Sequence, residues 1–223
     1  MNNPQFPLPS SIESFINQDG FPCVGAKIAL NKSQITTLDF KDIGSDSHNQ
    51  DILSDIYRFI KNFNKDKKLY SSLVCTFKHS SLEDEKDFEL VMWDKLQKLH
   101  NLDSKLYSWD KRVSCDPNDS QFSFSLGGEA FFIIGLSPYS QRKARRFKYP
   151  AIVFNLHSQF QMLKETNKFN ALRERIRKNE EAFSGSPNPN LYDHGVVSEA
   201  RQYSGRTVDN NWQCPFSTRS KNE

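Results

Sequence analysis

Apolar positions along this chain recur at helical spacing in some stretches and at strand spacing in others, and their succession outlines the fold. Ile12, Phe15 and Ile16 form a short apolar stripe. Ser10 with Glu13 three residues on has the capping-box pattern, and Gly20 ends the predicted helix. Small residues flanked by apolar ones in Phe21-Pro22-Cys23-Val24-Gly25-Ala26-Lys27 predict a segment where backbones approach closely. Ile35 to Phe40 reads as a strand. Ser47 is placed to cap a helix running to about Asn64, with Ile52, Leu53, Ile56, Tyr57, Ile60 and Phe63 on one face.

Leu69 to Phe77 has the β-branched and aromatic content of a strand, and residues 82–101 follow as a long helix, acidic early and basic late. Residues 103–120 read as a long loop. Phe122 to Leu126 alternates strictly, Gly127-Gly128 turns or bulges, and Glu129 to Leu136 resumes as a strand. Pro150 leads a further strand that ends at Asn155-Leu156-His157. Helices are predicted over about 158–165 and 168–183, and beyond Gly185 the chain is polar and punctuated by Gly and Pro. Strands gathered in the middle and flanked by helices predict an α+β fold. The expectation is a single domain over 10–216 with a central mixed, largely antiparallel sheet, a flexible arm at 1–9 and a disordered tail at 217–223.

Composition narrows the class. Among 223 residues there are 18 Phe, 7 Tyr and 3 Trp, too many rings for a disordered chain and enough for a substantial core. No apolar run approaches the ~20 residues of a membrane span, and the start lacks a signal-peptide pattern, so the expectation is a cytoplasmic protein without a membrane partner. A net charge of +3 gives no global field to select nucleic acid. Cys23, Cys75, Cys115 and Cys214 lack the paired spacing of zinc or redox sites and read as buried small hydrophobes in a reducing compartment, with a thiolate ligand as the sharper alternative.

Several residues could carry chemistry. His48 and His79 sit in polar surroundings and receive no role, and His194 lies in the irregular C-terminal stretch. His100 and His157 each join an element end to an apolar environment, where a structural histidine and a ligand are both open readings. Glu129, between Gly-Gly and Ala-Phe-Phe, is a solvent-facing strand end or a buried acid. If buried it needs a cation: Arg145, Arg146, Arg201 or a cationic substrate. The basic run Arg142-Lys143-Ala144-Arg145-Arg146-Phe147-Lys148 reads as a solvated face or as a clamp for carboxylates or phosphates. Ser198 to Arg206 and Trp212 to Phe216 are non-repetitive strings that suggest an ordered loop completing a site.

Together the Phe21–Lys27 segment, Gly127-Gly128-Glu129-Ala130-Phe131-Phe132, Gly135-Leu136-Ser137-Pro138, the basic run, Phe154-Asn155-Leu156-His157-Ser158-Gln159-Phe160 and the two C-terminal strings resemble the YqcI/YcgG family. That family includes haem-dependent N-hydroxylases of the guanitoxin and D-cycloserine pathway type. The resemblance implies haem b, O2 as co-substrate, an external electron donor and a small cationic substrate hydroxylated on nitrogen. It implies His157 as the iron ligand, with His100 second and Cys23 and Cys214 as thiolate alternatives. Arg145 and Arg146 would hold the haem propionates, Arg201 would line the cofactor, and Glu129 would receive the substrate guanidinium or ammonium. Leu156 stands where proline is expected in the histidine motif. Two rival readings remain: a haem carrier, sensor or detoxifying protein without turnover, and a nucleic-acid-binding regulator using residues 142–148. A homodimer is compatible with all of them.

Overall fold

The computed structural model describes residues 8–186, 188 and 195–218. Its centre is a sheet of five strands: β1 (Ile35–Phe40), β2 (Ser72–Phe77), β3 (Phe124–Leu126), β4 (Glu129–Leu136) and β5 (Ala151–Leu156), in the order β1-β2-β5-β4-β3. The β1–β2 pair is parallel and the other pairs are antiparallel, so the sheet is mixed and largely antiparallel within a single α+β domain.

The strands explain their own sequences. Leu73, Cys75 and Phe77 of β2, Phe131 and Ile133 of β4, and Ile152, Phe154 and Leu156 of β5 enter one core, shared with α3 (Asn49–Asp66) and α4 (Glu85–Asp103). The alternate residues Val74, Leu136 and Ala151, with Ile134 and Val153 beside them, enter a second core under α1 (Ile12–Ile16) and α2 (Val24–Asn31). A sheet covered on both faces has no polar face to display, which is why these strands read as unbroken apolar runs. The turn between β3 and β4 is the tight two-residue kind. Gly127 and Gly128 hold φ of 61° and 75°, angles that a side chain disfavours at two successive positions, and Leu126 pairs with Glu129 across the turn.

Several boundaries differ from the sequence reading. The first helix is capped by Ser11 with Ser14, a reciprocal pair of short hydroxyls, rather than by Ser10 with Glu13. Ser45, rather than Ser47, caps a short 3-10 turn at Asp46–His48, after which α3 starts at Asn49 without a side-chain cap. Val24 to Asn31, whose small residues suggested close backbone packing, is helical: the Cys23 sulfur accepts from the Ala26 N–H at 3.4 Å and serves as the N-cap. β2 begins at Ser72, three residues later than the pattern implied. Pro9 of the expected arm accepts from Lys148 N–H, and Ser217 of the expected tail exchanges two hydrogen bonds of 2.9 Å with the Gln97 amide. Both are therefore fastened, while residues 1–7 and 219–223 lie outside the described residues.

Three more helices follow among the described residues: α5 (His157–Glu165), α6 (Phe169–Ser184) and the one-turn α7 (Ala200–Tyr203). Gly135 on β4 lets α7 and α4 close in, because a Cβ there would stand 2.8 Å from Met92 Sδ and Phe88 Cε1 and 2.9 Å from the Tyr203 carbonyl oxygen. Gly135→Ala should therefore lower stability by about 1–3 kcal/mol in denaturant unfolding, the usual cost of overpacking a filled core.

Candidate functional site: a buried glutamate facing His157

The junction of β5 and α5 is pinned by the polar residues of its own motif. Ser72 Oγ donates to Asn155 Oδ1 at 2.7 Å, and the buried Gln159 Nε2 donates to the Ser71 carbonyl at 2.7 Å. Two residues spaced four apart thus bind the end of β2, and His157 between them is held at the first position of α5. Leu156 has φ of -60°, the angle a proline ring would impose, so the departure from the family pattern leaves the backbone path intact.

His157 Nε2 lies 3.9 Å from Glu199 Oε1. Glu199 is 4% exposed and sits just before α7, where Ser123 Oγ donates to Oε2 at 2.7 Å and the Tyr203 hydroxyl reaches the same oxygen at 3.4 Å. The fully buried Tyr203 hydroxyl also accepts from Phe124 N–H at 3.2 Å and faces the Phe131 carbonyl at 3.3 Å. Burial pushes the Glu199 carboxyl up to about 7, against the opposing pull of the Ser123 and Tyr203 hydrogen bonds and the charge of Lys164. A carboxyl in that range exchanges its proton at neutral pH, which is the property a general acid or base needs. Rings close around it: Tyr203 stacks on Trp93 at 5.6 Å and meets Phe132 at 5.7 Å, while Phe160 lies 6.4 Å from His157.

Glu199 stood in the quoted C-terminal string without a role. The legible signal was an acid four residues before a tyrosine, the spacing that puts both on one side of a helical turn. Its burial comes from β3 and α5, far away in sequence.

The other expected residues are dispersed. His100 is buried against Trp109 and Phe216, with ring centroids 5.4 and 5.3 Å away, and its Nδ1 makes no hydrogen bond. Burial holds its pKa below the usual imidazole range, opposed by a backbone hydrogen bond to Thr218. Burial pushes the Cys23 thiol up, although the Ala26 and Gly25 N–H groups and the Arg145 charge pull it down, and the Cys214 thiol is pushed up to about 12.

The arginines have other work. Arg145 donates to the carbonyls of Gly135, Tyr203 and Gln202, so it caps the C-terminal end of α7, and Arg146 donates to the carbonyls of Ser140 and Gln141. Both guanidiniums are engaged by backbone carbonyls. Arg201 lies over the Trp212 ring at 5.5 Å and donates to the Asp209 and Trp212 carbonyls, which fastens the C-terminal loop. Glu129 is paired with Arg112 at 2.5 Å at the end of the β3–β4 hairpin, a partner from the 103–120 loop and none of the three arginines expected. Arg112 also forks onto Asp110. His194 lies outside the described residues.

Among the described residues no cluster of three or more His, Cys, Asp or Glu side chains could hold a bare metal ion. A haem needs a single axial donor, and the His157 end fits it: a partly buried imidazole with a carboxyl 3.9 Å from its Nε2 and the Phe160 ring beside it. The carboxylate end of the expected site does not fit Arg145 and Arg146. Lys164, whose charge acts on Glu199, is the cation on this side.

The raised Glu199 pKa has a stability consequence. The folded chain holds this proton more tightly than the unfolded chain, so the stabilisation is full below the ordinary value of 4.5 and is lost as pH rises through about 7. The loss amounts to about 3 kcal/mol. Denaturant unfolding at pH 5 and pH 8 should show Glu199→Gln gaining on the wild type by up to that amount at the higher pH.

Comparison with known proteins places the chain. It is 27% identical over 209 residues to the uncharacterized protein YqcI of Bacillus subtilis (strain 168), covering 89% of this chain and 81% of YqcI. It is 26% identical over 212 residues to the uncharacterized protein YcgG of the same organism, with the same shares covered. No solved structure matches. The model of the YqcI/YcgG family matches residues 12–217, which span all the motifs quoted above, and the chain belongs to that family.

Proposed function

We propose that this protein is a haem-dependent oxygenase that hydroxylates a nitrogen of a small, cationic, amino-acid-like substrate. The observation that carries the reading is the His157–Glu199 pair, an imidazole held 3.9 Å from a buried carboxyl that titrates near neutrality. The bound haem would supply O2 activation. The overall change is N–H to N–OH: one oxygen atom of O2 enters the product, and the other leaves as water with two electrons from an external donor and two protons.

The chain's own residues would do the rest. His157 would serve as the axial donor, with Glu199 orienting its ring as a carboxylate partner does for a ligating imidazole. Ser123 and Tyr203 both reach Glu199 Oε2, which leaves Oε1, the oxygen facing His157, as the atom that would carry the exchangeable proton. Phe132, Phe160, Trp93 and Tyr203 keep the region dry, which strengthens each polar contact inside it. Glu129 would receive a substrate cation only by releasing Arg112.

Purified protein supplemented with haem should show a Soret band. His157→Ala should shift or abolish it, and His100→Ala, Cys23→Ala and Cys214→Ala should leave it in place. Incubation with guanidino amino acids, O2 and a reductant should give an N-hydroxylated product. No Soret band would refute the haem reading, a band lost only in a cysteine variant would refute His157 as ligand, and a band without any oxygenated product would favour a carrier or sensor.

A further inference from the structure

The two edges of the sheet are treated differently. The β3 edge is three residues long and is packed against the molecule itself: Gly127 N–H in the turn meets Asp103 and Ser125 Oγ meets Asp110 N–H. The β1 edge is six residues long, and no described segment pairs with its outer side. The ladder fixes which groups lie there. Ser72 N–H bonds to the Gln34 carbonyl and Lys78 N–H to the Phe40 carbonyl, so Thr36, Leu38 and Phe40 turn their backbone groups toward β2. Ile35, Thr37 and Asp39 therefore present their N–H and C=O groups outward. The strand carries neither proline nor lysine nor a bulge, and its single charge is Asp39.

We propose that this edge pairs with the same edge of a second copy of the chain, antiparallel, about a two-fold axis at Thr37. The outward groups are self-complementary in that register. Thr37 faces Thr37 of the second copy and Ile35 faces Asp39 of the second copy, each pair exchanging both of its N–H···O bonds. The one charge on the strand, Asp39, is already paired with Lys78 at 2.6 Å, and the antiparallel register sets it against an isoleucine. A parallel copy in register would stack Asp39 on Asp39. On the α3 face, Leu38 would lie beside Thr36 of the second copy and lengthen the groove of about 370 Å³ that Leu38, Phe59, Phe63 and Leu73 line next to the strand. The charges along that groove are of both signs (Asp55 and Asp66 against Arg58, Lys65 and Lys68), so two copies meet without a single-sign repulsion.

Sedimentation equilibrium of the full chain tests this. The wild type should sediment at twice 25.8 kDa. Thr37→Pro removes one outward donor at a position where an edge strand tolerates proline, and it should weaken the dimer at least about a hundredfold while far-UV circular dichroism stays unchanged. Thr37→Arg, which opposes like charges on the axis, should do the same. Should both variants misfold, amide exchange of the wild type decides: Ile35, Thr37 and Asp39 must be protected at high concentration and exchange freely on dilution. A monomeric wild type, a dimer that survives in folded variants, or exchange at these amides that ignores concentration would each overturn the proposal.

Discussion

A carboxyl group removed from water must find hydrogen-bond donors or keep its proton, and Glu199 does some of both. Its oxygens are reached by the Ser123 hydroxyl from the start of β3 and the Tyr203 hydroxyl from its own helical turn, while His157 approaches from α5. The desolvation of a full charge outweighs the pull of these hydroxyls, so the pKa climbs toward neutrality. Leaving such a group buried with a donor missing costs about 1–3 kcal/mol, so the position of α7 is tied to the positions of β3 and α5.

The rest of the structure holds α7 where that balance is met. Arg145 ties off the carbonyls of Gln202 and Tyr203 at one end, and Gly135 leaves room for the Tyr203 carbonyl to reach β4. Beyond the helix, Arg206 forks onto the buried Glu89 of α4 at 2.5 and 2.8 Å, and Ser204 Oγ adds a bond of 2.9 Å to the same carboxyl. The following strap is fastened by Arg201 on Trp212 and by Gln97 on Ser217, and it lays Phe216 over Trp93, His100 and Trp109. The basic run that looked like an anchor for an anion is thus part of the frame. Buried arginine satisfied by carbonyls is a structural fastening with geometry, and it fixes the end of a helix only one turn long.

What could be read from the sequence follows from the range of the forces involved. The strands, the glycine turn and the long helices were legible because each is set by local period and turn chemistry. Caps were less so: Ser11 with Ser14 is a weaker sequence pattern than Ser10 with Glu13, and a cysteine N-cap announces nothing. The histidine motif was legible as a unit, since Asn155 and Gln159 flank His157 at fixed spacing. Glu199 was not, because its burial depends on Ser123 and Tyr203 meeting across 76 and 4 positions of chain. The partners of Glu129 and Arg145 escaped for the same reason: Arg112 comes from a loop, and backbone carbonyls leave no mark in a sequence.

The central claim is that Glu199 keeps an exchangeable proton near neutral pH beside His157. Carbonyl-stretch infrared difference spectroscopy over pH 4 to 9, wild type minus Glu199→Gln, measures it directly. A protonated carboxyl band that disappears with a midpoint near 7 is the expected result. A midpoint at the ordinary value near 4.5 would mean that the carboxyl is solvated or fully paired, and would contradict the account.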